Sequence, residues 1–406
     1  MDQATVLDAL ECDAPACALS KLANGPRAID CPELGSGRLV FPRYREVRFL
    51  LRDPGFICAP TASGMLNSLS PELREVLAPV ASWVLYADPP EHPRLRSLLA
   101  SAFSPRHISN LQSTIVRAAD ALVSEFAARG GGDAVAELAE PLPVHTISSL
   151  LGIPRADRAG IKASSDEVVL IAEPQLTYHQ ERLAASAWER LARYFEGLIE
   201  ERRARPGEDI VSGLVQAEAQ GERLTDEEIV ANCIALLVGG HETTSGLMSS
   251  LFLAAAAHPE HRAAVVNDQA FAASFVEEVL RLDGPSKITA RAAIEDTEVF
   301  GIPVAAGQRL VLLQASANRD PEVFEAASEF WPDRAPNRHL GFGHGPHACF
   351  GAALARMQAT ALLRAFMRDL DSLSVDLAGV VWKPSQVLRS AARVPMSSKP
   401  ARRGAA

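Results

Sequence analysis

No run of this sequence stays apolar for the roughly 20 residues that a bilayer core demands; the longest, such as Leu251 to Ala257, fall far short. The opening MDQATVLDALECD also lacks the basic-then-apolar pattern of a signal peptide. The expectation is a cytoplasmic protein with no membrane partner. Surplus positive charge is missing too. With 40 Lys and Arg against 50 Asp and Glu, the formal net charge is −10, which excludes a nucleic-acid partner, because displacing counterions from phosphates needs a basic stripe. Cysteine is scarce and unpatterned: Cys12, Cys17, Cys31, Cys58, Cys233 and Cys349 follow no disulfide framework, so free thiols are expected. Cys12 and Cys17 have no second Cys/His pair at ligand spacing, which argues against zinc there.

What is present is a folding chain of 406 residues, 48% of them hydrophobic, enough for a large core around a small-molecule site. Residues 1 to about 45 read as irregular, with loose ends at 1–20 and 398–406, and no linker divides the rest, so one domain over 1–406 is expected. Three helices stand out. Ser104 and Pro105 open a run in which Ile108, Leu111, Ile115, Ala119, Leu122 and Phe126 recur at helical steps until Gly130, Gly131 and Gly132. A surface helix is predicted from about Arg182 to Arg205, ended by Pro206 and Gly207. The longest starts at a capping box, Thr225 with Glu228, and runs from Asp226 to His258-Pro259 with an apolar middle that implies passage through the interior. Strand signals are few: residues 293–314 alternate around Gly301 and Gly307, and 387–396 fits a hairpin arm. The class is mainly α with small attached β-sheets.

The stretch GFGHGPHACFGAALARMQ, residues 341–358, sets Cys349 on a glycine-rich loop before a helix, where unpaired N–H groups and the helix dipole stabilise a thiolate. A cysteine nucleophile would want a base and an orienting Asn or Asp, and no such pattern follows His347. Zinc on His344, His347 and Cys349 would crowd three ligands into six residues and leave no remote fourth. A haem iron on one axial thiolate suits the loop better, since glycines let the backbone approach a flat macrocycle.

The segment Phe342-Gly343-His344-Gly345-Pro346-His347-Ala348-Cys349-Phe350-Gly351 resembles, at every defined position, the F-G-x-G-x-H-x-C-x-G signature of the cytochromes P-450, the haem-thiolate monooxygenases. Other stretches fit in the same order, so the resemblance covers about residues 40 to 396. Glu278-Val279-Leu280-Arg281 resembles the E-x-x-R pair, a carboxylate and guanidinium on one helix face. Asp88-Pro89-Pro90-Glu91-His92-Pro93-Arg94-Leu95-Arg96 resembles the D-P-P-x-H-x-x-x-R segment that binds the haem propionates. Gly239-Gly240-His241-Glu242-Thr243-Thr244 resembles the [AG]-G-x-[DE]-T-[TS] sequence, where the interior helix loosens over the haem.

The resemblance implies a triangular helical prism around a buried haem b, with Cys349 as the metal ligand and Phe342, Gly343 and Gly351 shaping its loop. It implies propionate binding by His92, Arg96, Arg291 and His347, with Glu278 and Arg281 as a structural pair. In dioxygen activation it gives Thr243 the role of hydrogen-bond donor, Glu242 that of proton supply and Gly240 that of making room; His241 either contributes or faces outward. Trp83, Val84, Leu85, Ala235, Gly239, Lys287 and Val394 are candidates for the substrate pocket. Lys287 stands where relatives often carry an apolar residue, and either meets a substrate anion or snorkels outward. The chain has no flavin or iron–sulfur signature, so electrons from NAD(P)H are expected through a separate ferredoxin and its reductase, docking on a basic patch of Arg94, Arg106, Arg334, Arg338 and Arg356. A monomeric monooxygenase tailoring natural products is the implied role. Intramolecular oxidative bond formation and a non-catalytic haem sensor are the alternatives.

Overall fold

Thr225 begins the longest helix, Asp226–Ala257, and the expected capping box is formed: the Thr225 hydroxyl accepts from the Glu228 N–H and the Glu228 carboxylate from that of Thr225. This is the computed structural model of the chain, which describes residues 3–11, 13, 15–34, 38–102, 105–219 and 222–398. Cys12, Ser104, residues 399–406 of the expected tail and the side chain of Arg106 lie outside the described residues. The long helix is buried around nearly its whole circumference, as an apolar middle requires. Around it pack helices Pro141–Leu150, Arg158–Val168, Tyr178–Ala204, Gln269–Asp283 and Ala352–Asp369, and helix Pro105–Ala128 packs on the last of these.

Two expected boundaries hold closely: Pro105–Ala128 ends before Gly130 and Gly131, both at positive φ, where glycine is cheapest. The helix expected from Arg182 begins a turn earlier, at Tyr178, because Thr177 and Gln180 form a second capping box. Trp188, Leu191, Phe195, Leu198 and Ile199 line its buried face. The N-terminal expectation is corrected. Within the stretch read as a loose end, Gln3–Glu11 is a helix and Ala16–Ala23 another, with Val6, Ala9, Leu10, Leu19 and Leu22 buried against Ile29, Val40, Val311 and Leu313. Such short helices are marginal alone and are held by packing, which periodicity over nine residues does not announce.

The main sheet has five strands in the order Ile29–Asp30, Leu39–Phe41, Arg309–Leu312, Thr289–Ala293, Phe56–Ile57, with one parallel pair between the second and third. Its register sets Leu310 opposite Arg291, which carries that arginine inward. The strands expected over 293–314 are present, turning at Phe300 and Gly301, both at positive φ. The expected hairpin arm at 387–396 splits. Ala391–Arg393 pairs with Val381–Trp382, whereas Pro395–Ser398 joins Leu373–Val375 and Gly131–Asp133.

Candidate functional site

The cysteine loop is built as its glycines suggest. Gly343 and Gly345 take φ of 70° and 78°, and a Cβ at Gly345 would stand 2.8 Å from the Leu51 carbonyl, so only glycine fits there. The Cys349 N–H donates to the Phe342 carbonyl at 2.8 Å, closing the loop over Gly345. Solvent reaches the Cys349 thiol, yet protein surrounds it closely enough that burial pushes its pKa up, against the Gly351 N–H and the charges of Arg356 and Arg96. Arg356 lies 4.4 Å over the Phe342 ring. Gly351 is the N-cap of helix Ala352–Asp369.

Four basic side chains from three segments, helix Glu91–Ala102, strand Thr289–Ala293 and the cysteine loop itself, converge here. Arg96, on helix Glu91–Ala102, donates to the Ala348 carbonyl at 2.8 Å. The rings of His92 and His347 lie 3.9 Å apart. Burial, then His92, Arg291 and Arg96, push His347 down to about 3. His92 is only 4% exposed, and its Nε2 is buried and unpaired among the described residues. Asp88, the carboxylate that acts on His92, is engaged by the N–H groups of Cys58 and Ala59. Two guanidiniums that disfavour charge on the neighbouring imidazoles, with an orphaned ring nitrogen, are the setting that a doubly negative ligand relieves.

On the long helix, Ala235, Leu236, Gly240 and Thr243 are half-buried and Gly239 is exposed, whereas Leu237, Val238 and every other residue over 241–250 are buried. Four-residue spacing sets Ala235, Gly239 and Thr243 along one stripe, with Leu236 and Gly240 beside it. The helix is continuous through this stripe, so the expected loosening is confined to hydroxyls: Thr243 Oγ1 donates to the Gly239 carbonyl at 2.8 Å and Thr244 Oγ1 to that of Gly240 at 3.2 Å. Gly240 is corrected. A Cβ there would meet Ile147 Cγ1 at 2.9 Å, whereas one at Gly239 would meet nothing within 4 Å; Gly240 serves helix packing and Gly239 leaves the open space. Phe350, beside Cys349, and Ala235 both pack against the same large apolar cluster.

The comparisons bear on this arrangement. The family model described as cytochrome P-450 matches residues 164–376. The cytochrome P-450 monooxygenase PikC of Streptomyces venezuelae is 35% identical over 87% of this chain and 83% of its own. The chain belongs to the cytochrome P-450 family. Mycinamicin IV hydroxylase/epoxidase of Micromonospora griseorubida is 33% identical over 90% of both chains. A crystal structure of the P-450 BioI in complex with a hexadec-9Z-enoic acid-ligated acyl carrier protein superposes with a TM-score of 0.89 at 27% identity, covering 98% of this chain and all of that one. The protein is thus a haem-dependent P-450 monooxygenase with the P-450 fold, receiving electrons from NAD(P)H through redox partners. No described helix is long and apolar enough to cross a membrane.

Several expectations about this P-450 change. Lys287 neither meets the pocket nor snorkels: it is 6% exposed, its ammonium donating to the carbonyls of Leu10 and Ser385, and burial lowers its pKa to about 8. It clips the N-terminal helix to the C-terminal loop. Val394 is fully buried among Val279, Phe252 and Met396, a core residue. Trp83 is buried between Tyr86 and Trp188, Val84 is bound through its N–H to Asn232, and Leu85 stands 50% exposed. The basic patch shrinks. Arg334 is buried on Glu278, Arg94 is held by Glu91 and Glu228, and Arg356 grips Glu277 at 2.7 and 2.8 Å. Arg338 remains exposed.

Glu278 and Arg281 form the expected pair, at 2.7 and 2.9 Å, and Arg281 also donates to the carbonyls of Asn318, Ala327 and Glu329. Glu242 turns to Lys383, at 2.9 and 3.0 Å. Lys383 lies beyond any local motif, and no sequence signal named it.

Proposed function

We propose that Cys349 would hold the iron of haem b as a thiolate, that His92, Arg96, Arg291 and His347 would hold its propionates, and that Thr243 with Glu242 manages proton supply from the long helix. The observation that carries this reading is the partly open stripe Ala235–Gly239–Thr243 in a mostly buried helix centre, together with an exposed Cys349 on its glycine loop. When bound, the haem supplies dioxygen activation at a thiolate-held iron. The chain's own part is to neutralise and orient. His92 Nε2 and the two guanidiniums offer hydrogens to carboxylates that burial would otherwise penalise. The Gly351 N–H and the Arg356 charge favour the ionised Cys349 sulfur. Thr243 Oγ1 donates its hydrogen to the Gly239 carbonyl, so it serves the path through its lone pairs, accepting from a water on the open side and so positioning it.

Thr243→Ala is expected to lower product formed per NADPH about 100-fold, the lower end of the range for a group positioned in proton transfer, with hydrogen peroxide rising in compensation and substrate affinity in spectral titration unchanged. Unchanged coupling would remove Thr243 from the proton path. The substrate is a small organic molecule. Tailoring of a natural product, of the kind named for PikC and the mycinamicin enzyme, is the reading the relatives support.

A ferredoxin is the electron donor this reading assigns, docking beside the cysteine loop. Arg338, its carbonyl fixed by the Tyr44 hydroxyl at 2.7 Å, presents an exposed guanidinium there. Arg338→Glu should slow ferredoxin-driven reduction about tenfold at low salt and leave substrate binding intact. Identical kinetics across a salt series would count against that surface.

A further inference from the structure

Two consecutive residues of the long helix, His241 and Glu242, both leave it for ionic partners elsewhere. His241 is 2% exposed. Its Nδ1 lies 2.8 Å from the Leu237 carbonyl and its Nε2 3.0 Å from Asp166 Oδ1. Carbonyl and carboxylate oxygens only accept, so making both hydrogen bonds takes a hydrogen on each ring nitrogen, the imidazolium form. Asp166, on helix Arg158–Val168, also accepts from Lys162 Nζ at 2.6 Å. Burial would raise its pKa, and His241 with Lys162 outweighs it, so the carboxylate stays ionised. Lys162 reaches Glu140, the N-cap of helix Pro141–Leu150, at 3.1 Å. Glu140 lies 3.8 Å from Lys383 Nζ, which holds both oxygens of Glu242.

The circuit His241, Asp166, Lys162, Glu140, Lys383, Glu242 alternates three cations with three carboxylates and closes on neighbouring residues of one helix. We infer that His241 is a positioning residue for the proton supply: its imidazolium balances this ring and so keeps Lys383 on Glu242. If the ring at 241 is neutral, Asp166 draws Lys162 to itself. Glu140 then loses that partner and competes for Lys383, from which it already stands 3.8 Å away, and Glu242 is loosened beside Thr243. The inference rests on the proposed role of Glu242 and Thr243.

The charge count supplies the test. His241→Gln leaves three carboxylates on two lysines; adding Asp166→Asn restores two against two. In the holoenzyme, His241→Gln should lower product per NADPH roughly fivefold, a shift within the usual range for coupled neighbours, and the double variant should recover to within about twofold of wild type. In the ¹⁵N-histidine NMR spectrum of the ferrous carbonyl form at neutral pH, one ring should have both nitrogens protonated, and its signals should vanish in His241→Gln. A neutral ring at 241, or a double variant as impaired as the single one, overturns the inference. Failure of the Thr243→Ala prediction would instead sink the proton path while leaving the imidazolium signal in place.

Discussion

The Cys349→Ala holoprotein will lack the strongly red-shifted Soret band of a reduced thiolate–haem carbonyl complex, and its monooxygenase activity will fall by more than about 100-fold, the loss that removal of a mere supporting partner of a metal ligand can bring. Among the described residues no second thiol can stand in. Cys17 lies in the N-terminal helices, and Cys31 and Cys233 are buried. Cys58 is the nearest rival, its sulfur among the donors of Asp88 and His347, but burial pushes it to about 11, so at neutral pH it is a thiol and a poor ligand. Burial raises the Cys349 thiol as well, but Cys349 is exposed where Cys58 is buried, and the Gly351 N–H with the charges of Arg356 and Arg96 favours its ionised form. Absorption spectra of the two proteins with carbon monoxide, at equal haem content, decide the matter. A variant that keeps the red-shifted band would mean that another sulfur binds iron.

Glu278→Gln is expected to cost about 3–5 kcal/mol of stability, the range for removing one partner of a buried ion pair, and so a large share of the ~5–15 kcal/mol that holds a typical protein folded. Glu278 is fully buried and serves two guanidiniums, that of Arg281 at 2.7 and 2.9 Å and that of Arg334 at 3.2 Å, besides the amide of Asn337 at 3.0 Å and the Trp331 N–H at 2.9 Å. The neutral amide leaves both arginines buried beside each other without an anion, and turns one acceptor into a donor facing donors. Urea midpoints of wild type and variant, each with its slope, measure the loss. A change below about 1 kcal/mol, a typical net hydrogen-bond value, would show that Arg281 is carried by its three carbonyl partners alone. The stretch from Asn318 to Asn337, which has little regular structure, is tied to the helix Gln269–Asp283 chiefly through these groups, and it leads directly into the cysteine loop.

Much of the site could be read from sequence because its information is local. The cysteine loop needs positive φ at particular glycines, the E-x-x-R spacing sets two side chains on one helix face, and the Thr225 capping box fixes where the interior helix begins. What the sequence did not carry is which side chains distant segments bring to the same place. Arg334 joins Glu278 from 56 residues away, and Lys383 reaches Glu242 across 141. Gly239 and Gly240 are identical as residue types, and only the neighbouring helix decides that one faces Ile147 and the other open space. Lys287 failed as a pocket candidate for a similar reason. Its burial depends on a helix, Gln3–Glu11, too short for its own pattern to declare.

That helix bears on how the enzyme can be engineered. The Lys287 ammonium is satisfied by the carbonyls of Leu10 and Ser385, Gln386 reaches Glu11 at 2.7 Å, and the same Ser385 and Gln386 hold Glu173 in the turn after helix Arg158–Val168. The amino-terminal segment is therefore a strut for that turn. A reductase joined through residues 3–11, or a tag that unwinds them, would strip a buried lysine of one acceptor and slacken the turn, so altered substrate selectivity in such a chimera should be traced to the junction before it is traced to the fused partner.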